Sequence, residues 1–191
     1  RINHAYSLGI DKNFITDNIT HTVTEKQKSI ALNNYKELAA AIKSNYTHII
    51  KPSQMHTKNV KCIEVKQSKE WPDFNSSKLN NTDGLITNIP NLMLSTMNAD
   101  CILLLFYDPI KNVIANIHSG WKGTLQRISI ETVNKMQKKY GSSPKDIICC
   151  MCPSIHKCHF EVEKEVKDKF KKEFSELNNF IFETIPNKKW N

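Results

Sequence analysis

Between His48 and Ile117 the apolar residues fall into six short runs, none long enough for a helix, and that pattern commits this part of the chain to a β-sheet. The runs are His48 to Lys51, Val60 to Val65, Gly84 to Thr87, Met93 to Thr96, Ile102 to Tyr107 and Val113 to Ile117. Turn signals separate them at Asn80-Asn81-Thr82-Asp83-Gly84, Ile89-Pro90-Asn91 and Tyr107-Asp108-Pro109. The last of these joins its two strands closely enough to form a hairpin.

Helical periodicity brackets the strand region. Thr24-Glu25-Lys26-Gln27 has capping-box spacing, and Ile30, Asn34, Leu38 and Ile42 follow at helical intervals, which predicts a helix from about Glu25 to Lys43. From Trp121 the period changes to that of a helix: Leu125, Ile128, Thr132, Met136 and Tyr140 form one face, and Gly141 is placed to end it. Ile147 to Met151 reads as a strand, Val162, Val166, Phe170 and Phe174 as a last amphipathic helix, and Ile181 to Glu183 as a final strand. Ser68 to Asn81 reads as a polar loop long enough to cover a site. Strands paired locally and then alternating with helices predict an α/β or α+β protein with a mixed sheet. With 191 residues and 39% hydrophobic composition, one domain over 1–191 is the expectation.

The composition excludes several classes. Lys+Arg 27 against Asp+Glu 19 leaves +8, but the lysines are scattered without an arginine-aromatic stripe, which fits anionic small molecules better than nucleic acid. No run reaches the length of a membrane span, and Arg1-Ile2-Asn3-His4 lacks the apolar stretch of a signal peptide, so no membrane role and a cytoplasmic location are expected. The six cysteines are then expected to be reduced thiols.

Three fragments carry chemistry: Gln54-Met55-His56, Ala99-Asp100-Cys101 and His118-Ser119-Gly120-Trp121. Each sets a zinc- or copper-competent ligand beside a strand-like run, so His56, Cys101 and His118 can converge on one ion with an open fourth position. Ser119-Gly120 reads as a sharp turn into a helix whose first N–H groups offer an anion site. Lys122 at that helix start, and Arg127 further along it, are candidates for substrate phosphate. Asp83 and Asp100 are candidates to orient ligands or accept a substrate hydroxyl; the plainer readings are a turn cap and a backbone-bonding residue. Trp121 is either a pocket wall or a core aromatic. Cys149, Cys150, Cys152, His156, Cys158 and His159 suggest a second zinc knot, but strand neighbours point to opposite faces, which favours small core residues there.

These residues resemble a known family. Gln54-x-His56, Asp83-Gly84-x-x-Thr87, Ala99-Asp100-Cys101, Tyr107-Asp108-Pro109, His118-Ser119-Gly120-Trp121-Lys122-Gly123, Cys152-Pro153-Ser154-Ile155 and Phe160-Glu161-Val162-x-x-Glu165-Val166 occur in the order of the YfiH/LACC1-type purine nucleoside phosphorylases, also described as multicopper polyphenol oxidoreductases or laccase-domain proteins. The resemblance implies metal ligands at His56, Cys101 and His118 with zinc the usual ion, phosphorolysis of adenosine and related nucleosides, adenosine deamination beside it, and a sandwich fold similar to the cysteine-hydrolase-like toxins. Two departures stand out. Where the family carries Thr-Arg-x-Gly-Gly, this chain reads Tyr6-Ser7-Leu8-Gly9 without an arginine, and the family continues past Lys189-Trp190-Asn191, so a short member or a fragment is expected.

Three functions follow from this reading. The first is a zinc-dependent purine nucleoside phosphorylase and adenosine deaminase acting on nucleoside and phosphate. The second is a cysteine hydrolase or deamidase with Cys101 as nucleophile and His118 as its base. The third is a non-catalytic metal-binding domain. Copper-based phenol oxidation is weaker, because one His/Cys/His set does not supply the several coppers that oxygen reduction needs.

Overall fold

The computed structural model describes residues 2–7, 24–43, 48–64 and 79–177. The loop expected at Ser68 to Asn81, apart from its last three residues, and the strand expected at Ile181 to Glu183 lie outside them. In chain order the elements are α1 (Glu25–Ala41), β1 (His48–Ile50), β2 (Val60–Cys62), β3 (Gly84–Thr87), β4 (Leu92–Leu94), β5 (Ile102–Asp108), β6 (Val113–Ser119), α2 (Trp121–Leu125), α3 (Ile128–Tyr140), β7 (Ile148–Met151) and α4 (Lys164–Glu173). Every strand expected within the described residues is present.

The main sheet has the order β2-β3-β6-β5-β7, with β2 parallel to β3 and the other pairs antiparallel. This is the mixed sheet expected, flanked by helices, and the Asp108 turn closes β5 and β6 into the predicted hairpin. A second sheet of two parallel strands, β1 and β4, pairs His48 with Leu92 and Ile50 with Leu94, which no local pattern in the sequence reveals. Side chains alternate across a strand. One face of the main sheet therefore packs Ile86, Leu104, Phe106, Val113, Ala115 and Ile117 against Ile128 and Met136 of α3. The opposite face packs Leu85 with Ile50, Ile63, Leu79, Leu92 and Leu94, and Ile114 of β6 lies against this cluster.

Two helical details differ from the sequence pattern. The capping box at Thr24 and Gln27 forms and the expected Asn34 is buried, but α1 also buries Ala31, Tyr35 and Ala39 and leaves Ile30 exposed. The small alanines admit the helix closely, and the Tyr35 hydroxyl meets Ser95 Oγ at 2.9 Å inside the protein, so the buried stripe is rotated by one position. The single helix expected after Trp121 is two helices, broken where Arg127 adopts left-handed backbone at φ 59°. Glu173 accepts from the Arg127 guanidinium at 2.6 Å and the Phe174 ring lies 4.5 Å beneath it, ties that sustain that backbone. Gly141, at φ 69°, caps α3 as expected.

β7 corrects a further expectation. Cys149 and Cys150 are exposed rather than core residues, as are Ile148 and Met151, because among the described residues β7 is the edge of the sheet and pairs only with β5.

Asparagines supply the turns: Asn81, Asn91 and Asn112 all take positive φ, which their short polar side chains tolerate. Gly84 serves a different purpose. It is the first residue of β3, where an added Cβ would overlap Ile117 Cδ1 and come within 3.0 Å of Val60 Cγ2.

The β5–β6 turn depends on Asp108, fully buried, whose Oδ1 accepts from the N–H groups of Ile110 at 2.8 Å and Lys111 at 3.0 Å. Burial pushes its carboxyl up, but the facing Ser142 hydroxyl, these two N–H groups and the Lys111 charge bring it below the usual carboxylate range. Asp108→Ala is expected to cost about 1–3 kcal/mol in urea unfolding at neutral pH, because two N–H groups lose their acceptor. A depressed folded pKa contributes stability above the unfolded value and loses it as pH falls through the folded one. The gap between wild type and Asp108→Ala should therefore hold at pH 6 and close in acid, below about pH 4.

Candidate metal centre

The two ends of the sheet are not equivalent, and the end where β6 finishes carries the polar residues. His118 lies on the same face of β6 as Asn116 and Ile114, is paired with Leu103 of β5, and is 3% exposed. His118 Nδ1 meets Asp83 Oδ1 at 2.8 Å, and its backbone N–H donates to the Asp83 carbonyl at 2.7 Å. With Nδ1–H donating to a carboxylate, Nε2 is left as the free lone pair.

The same carboxylate builds the loop that carries His56. Asp83 accepts from the N–H groups of Met55 at 3.2 Å, His56 at 3.0 Å and Thr57 at 2.7 Å, and from the Thr57 hydroxyl at 2.7 Å. These bonds hold His56 at φ 58°, a left-handed backbone that a free loop would avoid. Burial pushes the Asp83 carboxyl up, but His118, Thr57 and Met55 pull it further down, so it is an anion at neutral pH.

Cys101 sits just before β5, half-buried, with Sγ 3.8 Å from His56 Nε2. The His56 and His118 rings stand edge to face, with centroids 4.9 Å apart. One ligand atom from each of His56, Cys101 and His118 lies within 4.8 Å of the others, and among the described residues no other group of histidines, cysteines and carboxylates meets this test. Donors bound to one tetrahedral zinc at about 2.0–2.3 Å are separated by about 3.3–3.8 Å, so the set needs only a small contraction to close on an ion. Its two nitrogens and one thiolate sulfur suit zinc, and exposed His56 leaves one side open.

The electrostatics agree with a ligand set. The His56 imidazole is held below the usual histidine range by desolvation of its ring and by His118, partly countered by Asp83, with the Lys122 charge adding to the depression, so its lone pair is free at neutral pH. Burial pushes the Cys101 thiol up, and the charges of Asp100 and Asp83 add to this, so without a metal it is a thiol.

The remaining expected residues divide. Lys122 is exposed, lies 5.5 Å from the Trp121 ring centroid, and is close enough for its charge to act on His56. Asp100 is exposed beside Cys101, and its carbonyl accepts from Ile155 N–H at 3.0 Å. Arg127 is engaged with Glu173 and Phe174 on α4. Trp121 is half-buried between α2 and α4, with Lys169 Nζ 6.0 Å from its ring. Among the described residues, the cysteine-rich stretch from Cys149 to His159 does not assemble a second ligand group.

Sequence reasoning missed two contributions. Gly120 has ordinary extended backbone, at φ −66° and ψ 168°, so its role is not turn freedom. A Cβ there would stand 2.6 Å from His56 Cδ2, 3.2 Å from Cys101 Sγ and 3.4 Å from His118 Cε1. Thr57, which caps Asp83, is also absent from the expected site; its position beside a ligand histidine was the only available signal.

A cavity of about 640 Å³ opens on the same sheet face as His118. Its walls include Leu103, Asn98 and Ala99 of the Cys101 loop, and Tyr35 of α1.

Comparison with known proteins adds the family. The profile of the multi-copper polyphenol oxidoreductase laccase family matches residues 8–191. A purine nucleoside phosphorylase of Bacteroides thetaiotaomicron is 31% identical over 185 residues, which is 86% of this chain and 68% of that protein. The adenosine deaminase RL5, from an unknown prokaryotic organism, is 29% identical over 144 residues, or 75% of this chain and 55% of that one. The crystal structure of the Bacillus licheniformis hypothetical protein YfiH superposes with a TM-score of 0.74 at 29% identity, covering 85% of this chain and 61% of that chain.

Gly120→Ala is expected to leave the fold in place and to weaken metal binding by roughly tenfold or more, since the methyl group occupies the space where the three ligands close. Circular dichroism and chelator competition check the two halves of this expectation.

Proposed function

For a chain that belongs to the multi-copper polyphenol oxidoreductase laccase family, we propose that residues 1–191 form one domain of a zinc enzyme that phosphorolyses purine nucleosides, adenosine among them. The observation that carries the reading is the His56–Cys101–His118 group with Asp83 behind His118. The relative named purine nucleoside phosphorylase supports the choice of reaction. The cavity that reaches Asn98 and Ala99 of the Cys101 loop has the size of sites that take small molecules, but none of His56, Cys101, His118 and Lys122 lines it, so the reading rests on the ligand group and not on the cavity.

His56, Cys101 and His118 would hold the zinc ion, which would supply Lewis acidity when bound. The chain's own residues do the rest. Lys122 holds phosphate by charge at the open side of the group, where its field already reaches His56. A phosphate oxygen forms the new bond to the ribose C1′ as the bond to the purine nitrogen breaks, and the proton of hydrogen phosphate leaves with the purine. Positive charge developing on the sugar is met by the phosphate that Lys122 holds. Asp83 keeps His118 in one tautomer and orientation throughout. Arg127, tied to α4, has a structural part.

Adenosine deamination at the same site is the second activity, supported by the relative named adenosine deaminase. The cysteine-hydrolase reading is less well supported. Burial and the neighbouring Asp100 and Asp83 raise the Cys101 thiol, whereas a nucleophilic thiolate needs a lowered pKa.

Zinc-loaded protein given adenosine and phosphate should yield adenine and ribose 1-phosphate by chromatography. Lys122→Ala should lower kcat/KM by about tenfold or more, with the loss carried by the KM for phosphate, and Arg127→Ala should lower it less. Inosine without adenine would leave the deaminase alone; neither product would remove the enzyme reading.

Alkylation separates ligand from nucleophile at Cys101. A zinc-bound thiolate should react slowly with iodoacetamide, and chelation should speed its labelling as read by mass spectrometry. A substrate-derived mass on Cys101 after quenched turnover, with activity indifferent to chelator, would overturn the zinc reading.

A further inference from the structure

We propose that Gln54 is a positioning residue for the metal centre: its side-chain amide ties the loop carrying His56 to the loop carrying Cys101 and so sets the separation of two of the three donors. The inference rests on the metal-site reading above.

The geometry begins with the small parallel sheet. β1 and β4 run side by side, and the last rung beyond them is Ser95 N–H donating to Ile50 carbonyl at 2.9 Å. The first chain then turns away, with Ser53 N–H donating to Leu79 carbonyl at 3.1 Å. At this divergence Gln54 reaches back. Its Nε2 donates to the Met97 carbonyl at 2.6 Å, and Met97 N–H donates to its Oε1 at 2.7 Å. One planar amide satisfies both backbone groups of one residue, as a strand partner would. His56 follows Gln54 by two residues and Cys101 follows Met97 by four. A second tie shortens that span, because Asn98 Nδ2 donates to the Cys101 carbonyl.

Asp83 and Gln54 thus divide the task. The bonds that Asp83 accepts fix His56 and His118 relative to each other. Cys101 is set against His118 by the β5–β6 pairing of Ile102 with Ser119, and the Gln54 amide ties its loop to the loop of His56. No other common side chain at position 54 makes both bonds. Asparagine is one methylene short, glutamate lacks the donor and sets a carboxylate against the Met97 carbonyl, and leucine fills the volume with neither group.

The test is cobalt(II) titration of the metal-free full chain, followed by the d–d bands and the thiolate charge-transfer band. Unfolding midpoints of each metal-free protein are measured alongside. Val113→Ala is the control for general loss of stability, at the far end of β6 from His118. Gln54→Leu should bind cobalt roughly tenfold more weakly or worse, still showing the thiolate band at saturation. Val113→Ala should lower the midpoint and keep cobalt affinity within about twofold of wild type. Wild-type affinity in folded Gln54→Leu overturns the proposal, and so does an equal loss in Val113→Ala. Should Gln54→Leu fail to fold, Gln54→Glu carries the test: it keeps the bond from Met97 N–H, and an affinity at least about threefold weaker supports the role while wild-type affinity overturns it. A wild-type chain that binds no cobalt removes the metal-site reading itself, an outcome seen before any variant is measured. Because the readout is metal affinity, it stands whether or not the chain phosphorolyses nucleosides.

Discussion

A buried carboxylate with no solvent contact is costly unless its lone pairs are filled, and Asp83 fills them with three backbone N–H groups, one hydroxyl and one imidazole N–H. Charge-assisted bonds of this kind contribute about 1.5–3 kcal/mol each, enough together to hold residues 55–57 in a conformation that includes left-handed His56. The same charge orients His118 by fixing which ring nitrogen carries the proton. Two of the three side chains in the His56–Cys101–His118 group therefore take their positions from one side chain just before β3. Removing the charge would unfix both at once.

The rest of the centre follows from register. β6 carries His118 on the face opposite Ile117, so the apolar core against α3 and the polar end of the sheet are built by alternate residues of one strand. A slip of one residue would put His118 into the core and Ile117 at the metal. Gly120 ends β6 where three ligand side chains meet, and absence of a side chain there is as much a part of the site as the ligands are. Beyond it the helix that begins at Trp121 is short, and the chain restarts as α3 from a left-handed residue pinned to α4. The Trp121 ring lies 6.0 Å from Lys169 Nζ of α4, and exposed Lys122 is close enough for its charge to act on His56.

Chemistry discriminates between the functions open to this arrangement. A thiol raised by burial and by two nearby carboxylates makes a poor nucleophile, but it becomes a good ligand once a metal displaces its proton. A histidine with a depressed pKa is a poor cation and a good ligand for the same reason. The Cys101 shift disfavours a cysteine hydrolase, and both shifts favour a metal centre.

Much of this was legible in the sequence. The strands could be read because short apolar runs bounded by Asn, Asp and Pro turns leave the chain few alternatives. The grouping of His56, Cys101 and His118, which could hold a metal ion, could be read because each stands beside such a run in an ordered series of motifs. The face of α1 was misread, since Ile30 scores as apolar while the closeness that only Ala31 and Ala39 permit depends on the partner surface. The exposure of Cys149 and Cys150 was misread for a related reason, because a strand's sequence does not say whether it will be an edge. Hydrophobic period is a local property, fixed by the chain itself. The parallel pairing of β1 with β4, the reach of Gln54 to Met97, the fivefold use of Asp83 and the bare Cα of Gly120 join residues that local patterns cannot relate. Only the tertiary structure decided these, because each depends on the distance between segments that meet after the sheet has closed.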